Sequence, residues 1–194
     1  MVIFLNKMLI RTKYLKFKIN IMEFNTALLD EINESFMTGN ETICIAESVT
    51  SGLLQLAFSE MINSKLFYKG GITVHTPDKI VKLLKVDIAE IKNCNCVSSF
   101  VADTMGRHAT KIFESEWCIA TSGYCIPERH SAYEIFAYYS ILYKGTVVFS
   151  DKLMLDKKAD SLEIKLYYTG QILQRFLGHL KLHQIMKTEV GVDD

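Results

Sequence analysis

The sequence predicts an α/β domain, a three-layer α/β/α sandwich with a mixed sheet, and three observations carry that prediction. Short β-rich runs alternate with stretches of helical periodicity along the chain. One of those runs, Glu134 to Tyr143, is apolar on both of its faces, as a strand covered by helices on both sides must be. Of the 194 residues, 49% are hydrophobic and only two are proline, so a sizeable core can form without disulfides or metal.

The elements follow in order. Phe24, Leu28, Ile32 and Phe36 recur every four residues and predict an amphipathic helix that ends near Gly39. Thr42 to Ala46 reads as a strand and Ser51 to Ile62 as a helix. Gly70-Gly71 punctuates a second β-like stretch, Ile72 to His75. Pro77 suits the first turn of a helix through Leu84, where its missing N–H has no partner to lose. Val97, Val101, Met105, His108 and Ile112 form one stripe of a longer helix that Ser98 or Ser99 can cap. Trp117 to Thr121 is a strand, and Lys144-Gly145 turns Glu134–Tyr143 into Thr146–Leu153 as a hairpin. Leu162, Leu166, Thr169, Leu173, Leu177 and Leu180 line one face of a long last helix.

Charge divides the chain. Residues 1–21 hold five bases and no acid, which leaves 17 bases against 22 acids, or −5, in the rest; the total is zero. The leader reads as a non-essential extension, with Met8 and Met22 as alternative starts, the domain as residues 22–183, and residues 184–194 as a tail. Bases interrupt every apolar run of the leader, so neither a signal peptide nor a membrane span is expected. A mildly acidic body repels polyanions, which argues against nucleic acid. Five cysteines, an odd number, fit free thiols in a reducing cytoplasm. Cys94-x-Cys96 is too tight for a zinc knuckle, and His179 and His183, four apart near a helix end, suit the helix dipole better than a metal. No metal and no cofactor is expected. His108 reads as a core or interface histidine, and Tyr138, Tyr139 and Tyr143 as strand residues.

Chemistry in such folds gathers where strands end and helices begin. Here that place is Glu47-Ser48-Val49-Thr50-Ser51-Gly52, where Ser48, Thr50 and Ser51 add hydroxyls to a helix N-terminus. The segment can serve as an ordinary N-cap, hold an anion, or present a nucleophile.

Four stretches carry a resemblance: A-E-S-V-T-S-G at Ala46, F-Y-K-G-G-I-T-V-H-T-P-D-K-I-V-K-L-L-K-V at Phe67, C-V-S-S-F-V-A-D-T-M at Cys96 and I-A-T-S-G-Y at Ile119. From Glu23 to Leu180 the chain resembles the C-terminal domain of the CinA (competence/damage-inducible) family. The resemblance implies an α/β/α domain that forms homodimers or higher homo-oligomers. It also implies a small-molecule substrate, nicotinamide mononucleotide or a related carboxamide, deamidated to the acid and ammonia. It places the nucleophilic serine on Ser48, with Val49 for the family's cysteine and Ser51 for its first glycine, and makes Glu47, Thr50, Gly52, Thr76, Ser122 and Gly123 substrate-binding candidates. The family's tyrosine becomes His75 and its lysine position Ile80, with Lys79 adjacent but about 100° round the helix. The base is therefore His75 or Lys79. The family's glycine-rich loop becomes Ser122 to His130, where Arg129 can replace backbone donors at a phosphate while Glu128 opposes it. Its G-D-R pattern meets Leu155-Asp156-Lys157, and its later arginine falls near Ser161. The alternative is a domain that has lost turnover and acts by binding or assembly.

Overall fold

A computed structural model describes residues 24–155 and 159–190. The leader, residues 1–21, and Lys157 lie outside the described residues. A five-stranded sheet in the order β2-β1-β3-β4-β5 forms the middle layer. Its strands are β1 (Ile43–Glu47), β2 (Tyr68–Thr73), β3 (Trp117–Gly123), β4 (Phe136–Tyr143) and β5 (Thr146–Met154). The first three run parallel, and β4 and β5 are antiparallel, so the sheet is mixed. Helices α1 (Thr26–Gly39), α2 (Leu53–Ser59) and α6 (Ser161–Val190) cover one face; α3 (Pro77–Leu84), α4 (Ile88–Cys94) and α5 (Ser99–Phe113) cover the other.

The two faces pack differently. Under α1, α2 and α6 the core is aromatic: Phe36 stacks on Phe67 at 4.9 Å, and Phe176 meets Trp117 edge-on at 5.6 Å. Under α5 the sheet offers Cys44, Ala46, Cys118 and Ala120, and the helix turns Gly106 toward them. A Cβ on Gly106 would fall 2.3 Å from Leu142 Cδ1 and 3.3 Å from Ala120, so any side chain here would have to displace Leu142 for α5 to lie this close.

Several sequence expectations are corrected. Gly70-Gly71 does not precede a strand but lies inside β2. Ile43 pairs with Tyr68 and Cys44 with Gly70, so Lys69 is an extra residue, a bulge that Gly70 permits at φ 124°. Helix α4 was not foreseen; Asp87 caps it by accepting from the Ala89 N–H at 2.6 Å. The buried face of α5 is Val101, Ala102, Met105, Gly106 and Ala109, while Ile112, in its last turn, is exposed. On α6, Ile164, Tyr168, Ile172, Phe176 and Leu180 form the central buried row; Leu162 is exposed. That helix also runs to Val190, through the start of the expected tail. The hairpin holds: Lys144 and Gly145 both take positive φ, the turn geometry that matches strand twist.

Candidate functional site

The C-terminal ends of β2, β1 and β3 open into one pocket of about 300 Å³. β1 delivers Ser48, and the tight turn after it adds Val49 and Ser51; His75 and Pro77 come from the link between β2 and α3. Asn95, Cys96 and Val97 follow α4, Gly123 ends β3 with Tyr124 to Ile126 and Glu128 after it, and Lys165 reaches in from α6.

The turn after β1 is built by Glu47. Its side chain is fully buried and its carboxylate accepts from the N–H groups of Gly52 (3.0 Å), Leu54 (3.2 Å) and Gln55 (2.9 Å), capping α2. Thr50 is buried too and shares a 2.9 Å hydroxyl contact with Thr121. Ser51 sits at φ 56°, in the left-handed region, where the resemblance implies glycine; its N–H closes the turn on the Ser48 carbonyl at 3.2 Å. Gly52 follows at φ 95°. The Ser48 N–H continues the sheet by donating to the Thr121 carbonyl at 3.1 Å. Among the described residues the Ser48 hydroxyl and the N–H groups of Val49 and Thr50 make no hydrogen bond.

Of the residues the sequence singles out, Ser48, Ser51, His75 and Gly123 line the pocket. Glu47, Thr50 and Gly52 are its buried scaffold. Ser122 is buried and donates to the Cys96 carbonyl at 2.6 Å, tying the loop after α4 to β3. Lys79 does not enter: it is exposed and pairs with Asp78 at 3.2 Å. The Thr76 hydroxyl, foremost, and Lys79 hold the Asp78 carboxyl below its usual range, so Thr76 serves the first turn of α3 and lies outside the lining. Arg129 is also outside. The Glu128 carbonyl accepts from the N–H groups of Ser131 (3.2 Å) and Tyr133 (2.8 Å), a single helical turn that leaves Arg129 exposed while Glu128 borders the pocket.

Sequence reasoning missed Lys165, Asn95 and Tyr124. Lys165 lies one turn beyond Ser161, the residue on which the resemblance sets an arginine, and that offset was the available signal. Burial, then the neighbouring Cys94, pushes the Cys96 thiol up, so it lines the pocket as a neutral group. No cluster of three or more His, Cys, Asp or Glu suited to a metal occurs among the described residues. His179 packs on Phe149 and His183 on Glu41, away from each other's partners. No described helix is long and apolar enough to cross a membrane.

Comparison with known proteins decides the family. The model of the CinA C-terminal domain matches residues 25–136. The chain belongs to that family. A CinA-like protein of Picosynechococcus is 32% identical over 97 residues, which cover 50% of this chain and 23% of that protein. A putative competence-damage inducible protein of Streptococcus agalactiae is 26% identical over 109 residues, covering 56% of this chain and 26% of its own length. The CinA chain thus spans about a quarter of these curated relatives. Among solved structures, a competence or damage-inducible protein from Enterobacter asburiae aligns with a TM-score of 0.74 at 20% identity, covering 79% of this chain and 96% of that one. The competence/damage inducible protein CihA from Agrobacterium tumefaciens aligns at 0.73 and 20%, covering 80% and 94%. At these identities the likeness shows the α/β/α fold.

Proposed function

We propose that this CinA-family domain is an amidohydrolase that deamidates nicotinamide mononucleotide or a related carboxamide. The observation that carries the reading is the unspent Ser48 hydroxyl on the pocket wall, beside the unspent Val49 and Thr50 N–H groups, with His75 lining the same pocket. Ser48 Oγ attacks the carboxamide carbon while the His75 imidazole takes its proton. The Val49 and Thr50 N–H groups receive the negative charge on the carbonyl oxygen. Collapse breaks the C–N bond, the proton passes from His75 to the leaving ammonia, and water then hydrolyses the acyl-serine ester. Lys165 is the lysine or arginine that borders the pocket among the described residues, and it attracts the anionic end of the substrate.

A second reading, a ligand-binding domain without turnover, draws on Ile80. It is fully buried at the position where the resemblance implies a lysine, and Lys79 turns to Asp78 instead. Ammonia release from nicotinamide mononucleotide separates the two. The amidase reading expects release by the unaltered chain and at least about 1,000-fold less from Ser48→Ala. Release that is equal in both proteins sinks the serine mechanism, and none from either favours the binding domain.

A further inference from the structure

A second cavity, about 490 Å³, runs between α1 and the end of α2 and shares no lining residue with the pocket at Ser48. Its wall is apolar. Leu29 comes from α1, Leu56 from α2, Met61 and Ile62 from the turn that follows α2, and Phe24 from the residue at which the described chain begins. Ile62 is 69% exposed. Apolar area left open to water forgoes about 25 cal/mol per Å² of burial, so such a groove favours an apolar occupant.

Two carboxylates border the groove, Asp30 and Glu60. Among the described residues neither makes an ion pair or a side-chain hydrogen bond, whereas the adjacent Glu31 is paired with Lys181. Glu60 caps the carboxyl end of α2, whose last turn holds no base, so its charge adds to the negative end of the helix dipole instead of cancelling it. The groove is therefore apolar within and negative at its rim. Its complement is a segment in which apolar side chains are flanked by cations.

This chain carries such a segment directly before the groove. Residues 1–21, outside the described residues, hold five bases and no acid, and in 15–21 Leu15, Phe17, Ile19 and Ile21 alternate with Lys16, Lys18 and Asn20. Lysine stems are long enough for apolar neighbours to enter a groove while the ammonium groups stay at its rim. Ile21 lies three residues before Phe24, which is itself part of the wall. That link makes the encounter intramolecular, at an effective concentration of about millimolar, so even a weak match fills the groove.

We propose that residues 15–21 of this chain occupy the groove between α1 and α2, with Lys16 and Lys18 set against the carboxylates of Asp30 and Glu60. Residues 1–21 then belong to the domain instead of extending it, and part of their positive charge is matched by part of the body's negative charge in one contact. The test uses the full chain with Ile, Leu and Met methyl groups labelled, read by NOE spectroscopy at low salt. NOEs are expected from Met61 and Ile62 to Leu15 and Ile19. A mixture of labelled and unlabelled chains is expected to place them within one chain; NOEs between chains make the occupant a second copy and overturn the proposal. Asp30→Lys combined with Glu60→Lys is expected to remove the NOEs while the core methyl shifts of Ile32 and Leu54 stay in place, since both acids are exposed. Should that variant fail to fold, Glu60→Gln keeps the shape, removes one charge and is expected to weaken the same NOEs about twofold. No NOE from the groove to residues 15–21, NOEs to a different segment, or NOEs that persist at full strength in the charge variants would each overturn it.

Discussion

The two ends of strand β1 each carry a buried glutamate, and they use it in opposite ways. At the entry, Glu41 is 9% exposed and its carboxylate accepts from Trp117 Nε1 (2.7 Å), Tyr143 Oη (2.9 Å), His183 Nε2 (3.1 Å) and Lys187 Nζ (2.7 Å). Four side chains from two strands and the last helix are spent on one group. At the exit, Glu47 takes only backbone N–H groups of α2, and the next residue, Ser48, keeps its hydroxyl. One end is sealed by side chains and the other is held by backbone, which frees side chains for chemistry. The open end is the carboxyl end of parallel strands, where helix N-termini and loops converge on ligands.

That contrast can be broken by substitution, and the largest effect is expected at the open end. Ser48→Ala should abolish turnover while leaving the urea midpoint unchanged, because the hydroxyl holds nothing in place. A large fall in stability would show that Ser48 belongs to the scaffold. At the sealed end, burial alone would raise the Glu41 carboxyl, but hydrogen bonds from Lys187, Trp117, His183 and Tyr143 outweigh it and bring it from 4.5 down to about 2. A depressed folded value means the stabilisation is present above pH 4.5 and is lost as pH falls toward 2. The gap corresponds to about 3 kcal/mol. Glu41→Gln should therefore lose about 3 kcal/mol at pH 7 and flatten the acid limb between those values, as measured by urea unfolding across pH. Glu47→Gln keeps one acceptor oxygen and should cost less, about 1 to 2 kcal/mol, with a matching rise in amide exchange at Leu54 and Gln55. The smallest effects separate two lysines: Lys165→Ala should raise KM about tenfold. Lys79→Ala, whose partner is a surface aspartate, should change neither KM nor stability measurably.

Where the pocket lining sits in contiguous sequence it was readable. Ser48 was legible because a strand, a cluster of hydroxyls and a helix start follow one another within a few residues. Strands β1 and β3 and the hairpin were legible from apolar runs and from Lys144-Gly145, whereas the glycines inside β2 hid its first half. What escaped depended on contacts between distant segments. Lys165 reaches the pocket from a helix whose own periodicity says nothing of what its second turn faces. Arg129 was favoured for its charge, yet the turn anchored on the Glu128 carbonyl leaves it exposed, and no charge count reveals that. Asn95 ends a helix that was not foreseen, so its hydrogen bond to the Tyr124 hydroxyl had no sequence signal. Ser51 is the converse case: a residue at φ 56° marks where the turn demands glycine-like backbone, and the departure from the family pattern pointed straight to it.

Helix α6 gives these two ends a mechanical relation. Lys165 borders the pocket and Lys187 binds Glu41, and roughly 33 Å of uninterrupted helix lies between them. The helix therefore acts as a beam clamped at its far support, and the aromatic core beneath it is the bed on which it rests. Tyr168 on the Tyr124 carbonyl (3.2 Å) and Lys187 on Glu41 (2.7 Å) pin the helix at two distant points, so one element fastens both the pocket wall and the sealed edge of the sheet.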